Sequence, residues 1–238
     1  MLERKEVDVP EGGRAAEMKG RFAMPLVRLA LRPGSARAPV DVRRFLKEAR
    51  ARIARFQRSQ RAPAFVASDF AAVYAALRRL EKSGPPPGRL FCEWGSGFGV
   101  VGCLAAMLGF DARGIEADGR LVAAARRLAA DFDLPAEFVR GNFIPRNEQE
   151  GLSARRAHAW LSTGGRCGHQ AMGLELADLD LVFAYPWPDE EDLVADLFAR
   201  RAREDALLLT YHEEGGLRLR RTAEGSPIPC RSPDSGRL

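Results

Sequence analysis

The stretch Arg89-Leu-Phe-Cys-Glu-Trp-Gly-Ser-Gly-Phe-Gly99 decides the fold. A short apolar run ends in an acid, three glycines follow at alternate positions, and Val100 to Leu108 has the composition of a buried helix. This is the pattern of a strand, a tight turn and a helix. Glycines let the chain turn sharply and bring backbone N–H groups against a ligand at a helix N-terminus. A nicotinamide-type GxGxxG beginning at Gly95 would need glycine at position 100, which is Val100, and Glu93 stands two residues before the first glycine. A carboxylate there suits a cationic ligand group better than a pyrophosphate.

C-terminal to this turn, strands and helices alternate. Asp111 to Glu116 is predicted as a second strand, Arg120 to Phe132 as a helix, and Glu137 to Arg140 as a third strand. Asp178 to Tyr185 is predicted as a fourth strand, Glu190 to Arg203 as a helix, and Ala206 to Tyr211 as a fifth strand. The alternation implies an α/β fold, a doubly wound, mostly parallel sheet with helices on both faces. Only 27 residues follow Tyr211, and Leu217 to Arg221 is the one strand-like run among them, so the sheet is expected to be abbreviated at its C-terminal hairpin. Pro145 to Gly173 exceeds the ~2–6 residues of an ordinary connection. It reads as an insertion at the rim of the sheet, with Trp160, Ser162 and Thr163 as contact residues.

Ser83-Gly-Pro-Pro-Pro-Gly88 separates this region from two upstream helices. Asp41 can cap one running to about Gln60, and Ser68 or Asp69 one running to Glu81. The expected organisation is a disordered or loosely packed lead (1–38), a helical arm (39–85), the α/β domain (86–222) and a flexible tail (223–238). The net charge is +5, unevenly spread. Residues 28–61 hold eleven Lys/Arg against two acids, a local +9 that leaves −4 on the rest. A basic arm can meet a nucleic acid, although only four of the 37 basic residues are lysines, a usage that a GC-rich genome also produces.

Composition excludes several classes. Hydrophobic residues make up 46% and charged residues 29%, as in globular proteins. The longest apolar run, Val100 to Phe110, falls short of the ~18 residues of a membrane span, so no membrane partner is expected. The N-terminal MLERKEVDVPEGGR has no apolar core of a secretory signal, and Cys92, Cys103, Cys167 and Cys230 form no CxxC pair. A cytoplasmic, reducing location is expected. Cys167-Gly168-His169 lacks the four spaced ligands of a structural zinc site, so no metal is expected.

Gly114-Ile115-Glu116 ends the second strand about 20 residues after the glycine turn, where an acid can accept both hydroxyls of a ribose. With that residue, the chain from Arg89 to Tyr211 resembles the class I S-adenosylmethionine-dependent methyltransferases. Glu93 to Gly99, with Gly95, Ser96, Gly97 and Gly99, looks like that family's acid-x-Gly-x-Gly-x-Gly motif. Glu116 looks like its ribose-binding acid. Gly141-Asn142-Phe143 looks like the segment that meets adenine, through the Asn142 amide and by stacking of Phe143. Asp180-Leu-Val-Phe-Ala-Tyr-Pro-Trp-Pro188 matches its fourth motif, so Tyr185, Pro186 and Trp187 are expected to line the methyl-accepting side. The resemblance implies a Rossmann-like methyltransferase fold, S-adenosyl-L-methionine as cofactor, and methyl transfer to an unidentified acceptor by in-line displacement.

The acceptor motif departs from several subfamilies. DNA amino-methylating enzymes carry Asn/Asp-Pro-Pro-Tyr/Trp, where this chain has Ala184-Tyr185-Pro186-Trp187. The Phe-x-Asp-Pro-Trp-Pro of transfer RNA guanine-N7 enzymes is matched at Phe183, Pro186, Trp187 and Pro188. Its aspartate, however, is replaced by Tyr185, and acids rather than bases follow. The glycine turn also resembles that of non-SET histone-lysine methyltransferases, whose Asn-rich fourth motif is absent. Two alternatives stay open: an RNA methyltransferase that grips its substrate with the arginine arm, and a catalytically silent binding module. Tyr211-His212 is a candidate acid/base pair, because histidine titrates near neutrality. Ser68 and Asp69 open a helix that in this family often folds over the methionine end of the cofactor.

Overall fold

The computed structural model describes residues 24–31, 37–59, 65–82, 86–146, 148, 165–213 and 215–223. Seven strands form one sheet: β1 (Leu26–Leu29), β2 (Leu90–Trp94), β3 (Asp111–Glu116), β4 (Ala136–Arg140), β5 (Leu181–Ala184), β6 (Leu207–His212) and β7 (Gly216–Thr222). Their order is β1-β7-β6-β5-β2-β3-β4. β2 pairs in parallel with both β3 and β5, and β3–β4 and β5–β6 are parallel as well. The chain order therefore reverses between β2 and β5, which is where a doubly wound sheet opens a crevice at its carboxyl ends.

The sheet is not abbreviated. β7 pairs antiparallel with β6, and β1 pairs antiparallel with β7, Leu26 opposite Thr222 and Leu29 opposite Leu219. An N-terminal segment expected to be loose thus supplies the outermost strand. Its apolar residues alternate too briefly to announce a strand on their own. Pairing with the exposed edge of β7 satisfies the backbone groups that would otherwise stay open.

Six helices flank the sheet among the described residues: α1 (Val40–Ser59), α2 (Phe70–Lys82), α3 (Val100–Met107), α4 (Gly119–Asp131), α5 (Gly168–Ala171) and α6 (Glu191–Arg201). β2 and β5 are buried almost throughout, so alternate side chains feed two cores. Phe91, Leu181, Phe183, Leu207 and Leu209 pack with α1 to α4. Cys92, Trp94, Val182, Ala184 and Leu208 pack with α6 and the segment before β5. Helix α3 is buried along nearly its whole length, because it lies between the sheet and the α1–α2 pair.

The two upstream helices are not a separate arm. Val42, Phe45, Leu46, Ala49 and Ile53 of α1 are buried in the same core as Phe91, and Phe45 meets Phe132 edge-to-face at 5.1 Å. Asp41 lies inside the first turn of α1 rather than capping it, since helical pairing already begins at the Pro39 carbonyl. Asp69 does cap α2, accepting from Ala71 N–H at 2.9 Å. The predicted contact residues Trp160, Ser162 and Thr163, and the tail from 224 onward, lie outside the described residues.

Because α1 shares the core, Phe45→Ala should destabilise the whole protein by about 3–5 kcal/mol, the usual cost of emptying a buried aromatic site. Urea unfolding followed by far-UV and tryptophan signals should give one shifted transition. Two separate transitions would restore the independent arm.

Candidate active site

Gly95, Gly97 and Gly99 all have left-handed backbones, with φ of +71°, +52° and +67°. A side chain at Gly99 would also strike the Phe138 ring at 2.5 Å and Ala125 at 2.8 Å. Gly99 therefore lets α3 close onto β4 and α4 rather than facing the crevice. At Gly95 only the backbone angle demands glycine, because the space beyond it is open.

The turn's N–H groups are largely engaged within the protein. Gly95 and Ser96 both donate to Ile115 O at 2.9 Å, and Gly99 donates to Ser96 O. Gly97 N–H donates to Glu116 Oε2 at 2.9 Å, while Asp118 N–H donates to Glu116 Oε1 at 2.8 Å. A carboxylate thus occupies the position from which such a turn would hold a phosphate. Glu116 keeps acceptor capacity, because a carboxylate offers about four lone-pair sites and two are filled here.

Glu93 is buried, and its Oε2 accepts from Gly102 N–H at 2.9 Å. Gly102 belongs to the first turn of α3, whose N–H groups lack partners within the helix. Burial pushes the Glu93 carboxyl well above the ordinary carboxylate range, the Gly102 bond opposes this, and nearby Glu116 adds to it. Asn142 is buried, with Oδ1 accepting from Ile144 N–H at 2.8 Å. Phe143 stacks on Trp94, with centroids 5.0 Å apart and planes within 7°. The Ser96 hydroxyl is covered and makes no hydrogen bond among the described residues, so it is the backbone of Ser96 that shapes the turn.

These groups surround a cavity of about 610 Å³ at the β2–β5 reversal, within the range of small-molecule sites. Of the predicted residues, Glu93, Gly95, Ser96, Gly97, Glu116, Asn142 and Phe143 line one side. Tyr185, Pro186 and Trp187 line the other, and Gly99 alone is set back. Phe65 to Ser68 and Phe70 close over the turn, with Phe65 tilted against Phe98 at 5.3 Å. The sequence singles out Ser68 in this cover but not Phe65 to Ala67, nor Asp118, Arg120, Glu191 and Arg218. The Asp118 cap had a local signal in its position ahead of a helix; the others are brought in by distant segments.

On the acceptor side, Tyr185 packs edge-to-face on Tyr211 at 5.0 Å. Burial raises the Tyr185 phenol, helped by Glu213 and Tyr211, so it stays protonated near neutrality. His212 Nδ1 lies 2.5 Å from Glu191 Oε1, and Nε2 lies 2.8 Å from Thr210 Oγ1. Burial lowers the His212 pKa, with Glu191 opposing. The neutral ring therefore donates to Glu191 and accepts from Thr210. His169, next but one to Cys167, is buried against Trp94, and burial lowers its pKa to about 4.

No protein-family model matches the sequence, and no curated protein matches it. Among solved structures, the chain is similar to an RNA methyltransferase from Salinibacter ruber in complex with S-adenosyl-L-homocysteine (17% identity, covering 81% of this chain and 97% of that one, TM-score 0.40). It is also similar to a methyltransferase from Geobacter sulfurreducens (17% identity, 79% and 92% covered, TM-score 0.45). A third is the O-methyltransferase from Bacillus cereus in complex with S-adenosyl-L-homocysteine (12% identity, 74% and 67% covered, TM-score 0.44). At such identities and scores the likeness does not extend to substrate or activity.

Two substitutions test the site's construction. Gly95→Ala should cost about 1–2 kcal/mol, the left-handed penalty alone. Gly99→Ala should cost roughly 1–3 kcal/mol more, because it also overpacks the core. Equal losses in urea titrations would refute the assignment of Gly99 to packing. Glu93→Gln tests the buried carboxyl. The unfolded chain ionises near the ordinary value of 4.5 while the folded chain resists. Wild-type stability is therefore full below that pH and falls as pH rises toward the raised folded value, by up to about 1.4 kcal/mol per unit. The Gln variant should lack this slope; parallel stability–pH curves would contradict it.

Proposed function

We propose that the protein is an S-adenosylmethionine-dependent methyltransferase. The observation that carries this reading is the Glu116 carboxylate on Gly97 N–H at the sheet's reversal point. A dinucleotide would bring its pyrophosphate against the Glu116 carboxylate. A nucleoside bearing a positive charge brings ribose hydroxyls to the remaining lone pairs of Glu116 and a cation into an acid-rich cavity. Glycine at 95 leaves open space above the turn, which suits close approach of a ligand.

When bound, the cofactor supplies an activated methyl group on a sulfonium. The chain's own residues then bind and align. Glu116 would hold the ribose, the Asn142–Phe143 segment the base, and the turn from Gly95 to Gly97 the body of the nucleoside. Phe65 to Ser68 would exclude water from that end. Tyr185, Pro186 and Trp187 would restrict the acceptor to an in-line approach, and positioning of this kind supplies a large part of the rate in bimolecular transfers. The aromatic wall offers few competing nucleophiles.

Calorimetric titration with S-adenosylhomocysteine tests the reading. The wild type should bind it and should not bind NADH. Glu116→Ala should weaken binding by about 10–100-fold, the loss expected when hydrogen bonds to a charged group are removed. A folded wild-type protein that ignores S-adenosylhomocysteine would overturn the proposal and leave a binding module.

A further inference from the structure

The acceptor wall of the cavity carries its own charge arrangement, which the cofactor reading does not use. Glu191 opens α6 and reaches the cavity. Its two oxygens are held from behind by elements far away in the chain. His212 at the end of β6 meets Oε1 at 2.5 Å, and Arg218 of β7 donates to Oε2 at 2.7 Å. Thr210, two residues before His212 on the same strand face, fixes the ring's other nitrogen. The carboxylate cannot turn away, and about two of its four lone-pair sites remain.

The surroundings are one-sided. Glu190 and Glu213 line the same wall, and Tyr185 and Trp187 add aromatic faces. The lining cations among the described residues are Arg120 and Arg218. Arg120 is paired with Asp118 at 2.6 Å, and Arg218 is paired with Glu191. Among the described residues, a phosphate or carboxylate entering here meets no uncommitted positive charge, and three carboxylates oppose ionisation of a phenol. An ammonium, by contrast, gains from the carboxylates and from aromatic faces.

Resting on the methyltransferase reading, we infer that the methyl acceptor is an amine, oriented by a hydrogen bond from its N–H to Glu191. The amine enters as an ammonium and gives one proton to water at the open, Trp187 side of the cavity. Its nitrogen lone pair forms the new N–C bond as the C–S bond breaks, with that electron pair remaining on sulfur. The methylated nitrogen, now cationic, is an ordinary alkylammonium that leaves as it came. Glu191 is a specificity-determining residue in this scheme, and His212 and Arg218 are positioning residues.

The test offers matched compounds, each alkyl or arylalkyl scaffold as its aliphatic amine, its alcohol or phenol, and its carboxylate, to protein saturated with S-adenosylhomocysteine. Binding is read by calorimetry, and methylation is read separately with S-adenosylmethionine by mass spectrometry. The amine members should bind and be methylated while their matched partners are not. Glu191→Gln should weaken amine binding and raise KM about 10–100-fold, with kcat changed far less and S-adenosylhomocysteine affinity unchanged. The latter also shows that the variant is folded. If Glu191→Gln is poorly folded, Arg218→Gln, which loosens one side of the clamp, should raise the amine KM in the same direction by a smaller factor. Preference for the phenol, carboxylate or a transfer RNA mixture, or no response to the amines with S-adenosylhomocysteine bound, would overturn the amine assignment and leave the cofactor reading standing. Absence of S-adenosylhomocysteine binding would overturn both.

Discussion

One carboxylate organises the candidate site. Glu116, at the end of β3, accepts from Gly97 N–H of the first loop and from Asp118 N–H at the start of α4. The two loops that form the cavity floor are thereby tied to each other. The same bond converts a turn that commonly attracts anions into one that presents negative charge. Buried Glu93 accepts from Gly102 N–H beneath the turn and ties β2 to the start of α3, while its burial favours the neutral carboxyl, so the charge of the floor rests on Glu116. The acidity of the floor follows from how the backbone is held, so it does not depend on flexible surface side chains.

This arrangement survives because the turn is supported from beneath, away from the open face at Gly95. Gly99 is packed against Phe138 and Ala125, and α3 is enclosed between the sheet and the α1–α2 pair. The upstream helices are the outer layer of the core that carries the turn, which is why they cannot be an appendage. Several of the arginines that make this region basic serve that packing. Arg52 is paired with Glu48 and Asp131, Arg44 lies over Phe132, and Arg43 donates to Ala38 O. Part of the local charge is thus engaged structurally, and the cavity itself is acidic.

Much of the candidate site was legible before any coordinates. Residues 93–99, 116, 142–143 and 185–187 are local motifs at strand ends, and the topology brings strand ends together. The roles inside those motifs were less legible. Ser96 contributes backbone rather than hydroxyl, Gly99 packs rather than contacts, and Phe143 stacks on Trp94. A motif fixes which residues arrive at a place, while the neighbours that arrive with them decide where each side chain points. The Glu191–His212–Arg218 clamp left no pattern at all, because Glu191 lies more than twenty residues before the other two and meets them only where the β6–β7 hairpin packs beside the start of α6.

The sequence by itself determined the alternation of strands and helices, the glycine turn and the acid at the end of the second strand. Each is set by interactions a few residues long: hydrophobic period, backbone angle and chain reversal. Only the tertiary structure decided that Leu26–Leu29 completes the sheet, that α1 and α2 belong to the core, and that Glu191 faces the cavity with its charge clamped. Each of these depends on pairing or burial between distant segments. Four residues of modest strand propensity become a strand when an open edge lies beside them. Likewise, an amphipathic helix becomes part of a domain when a matching apolar surface is there to cover.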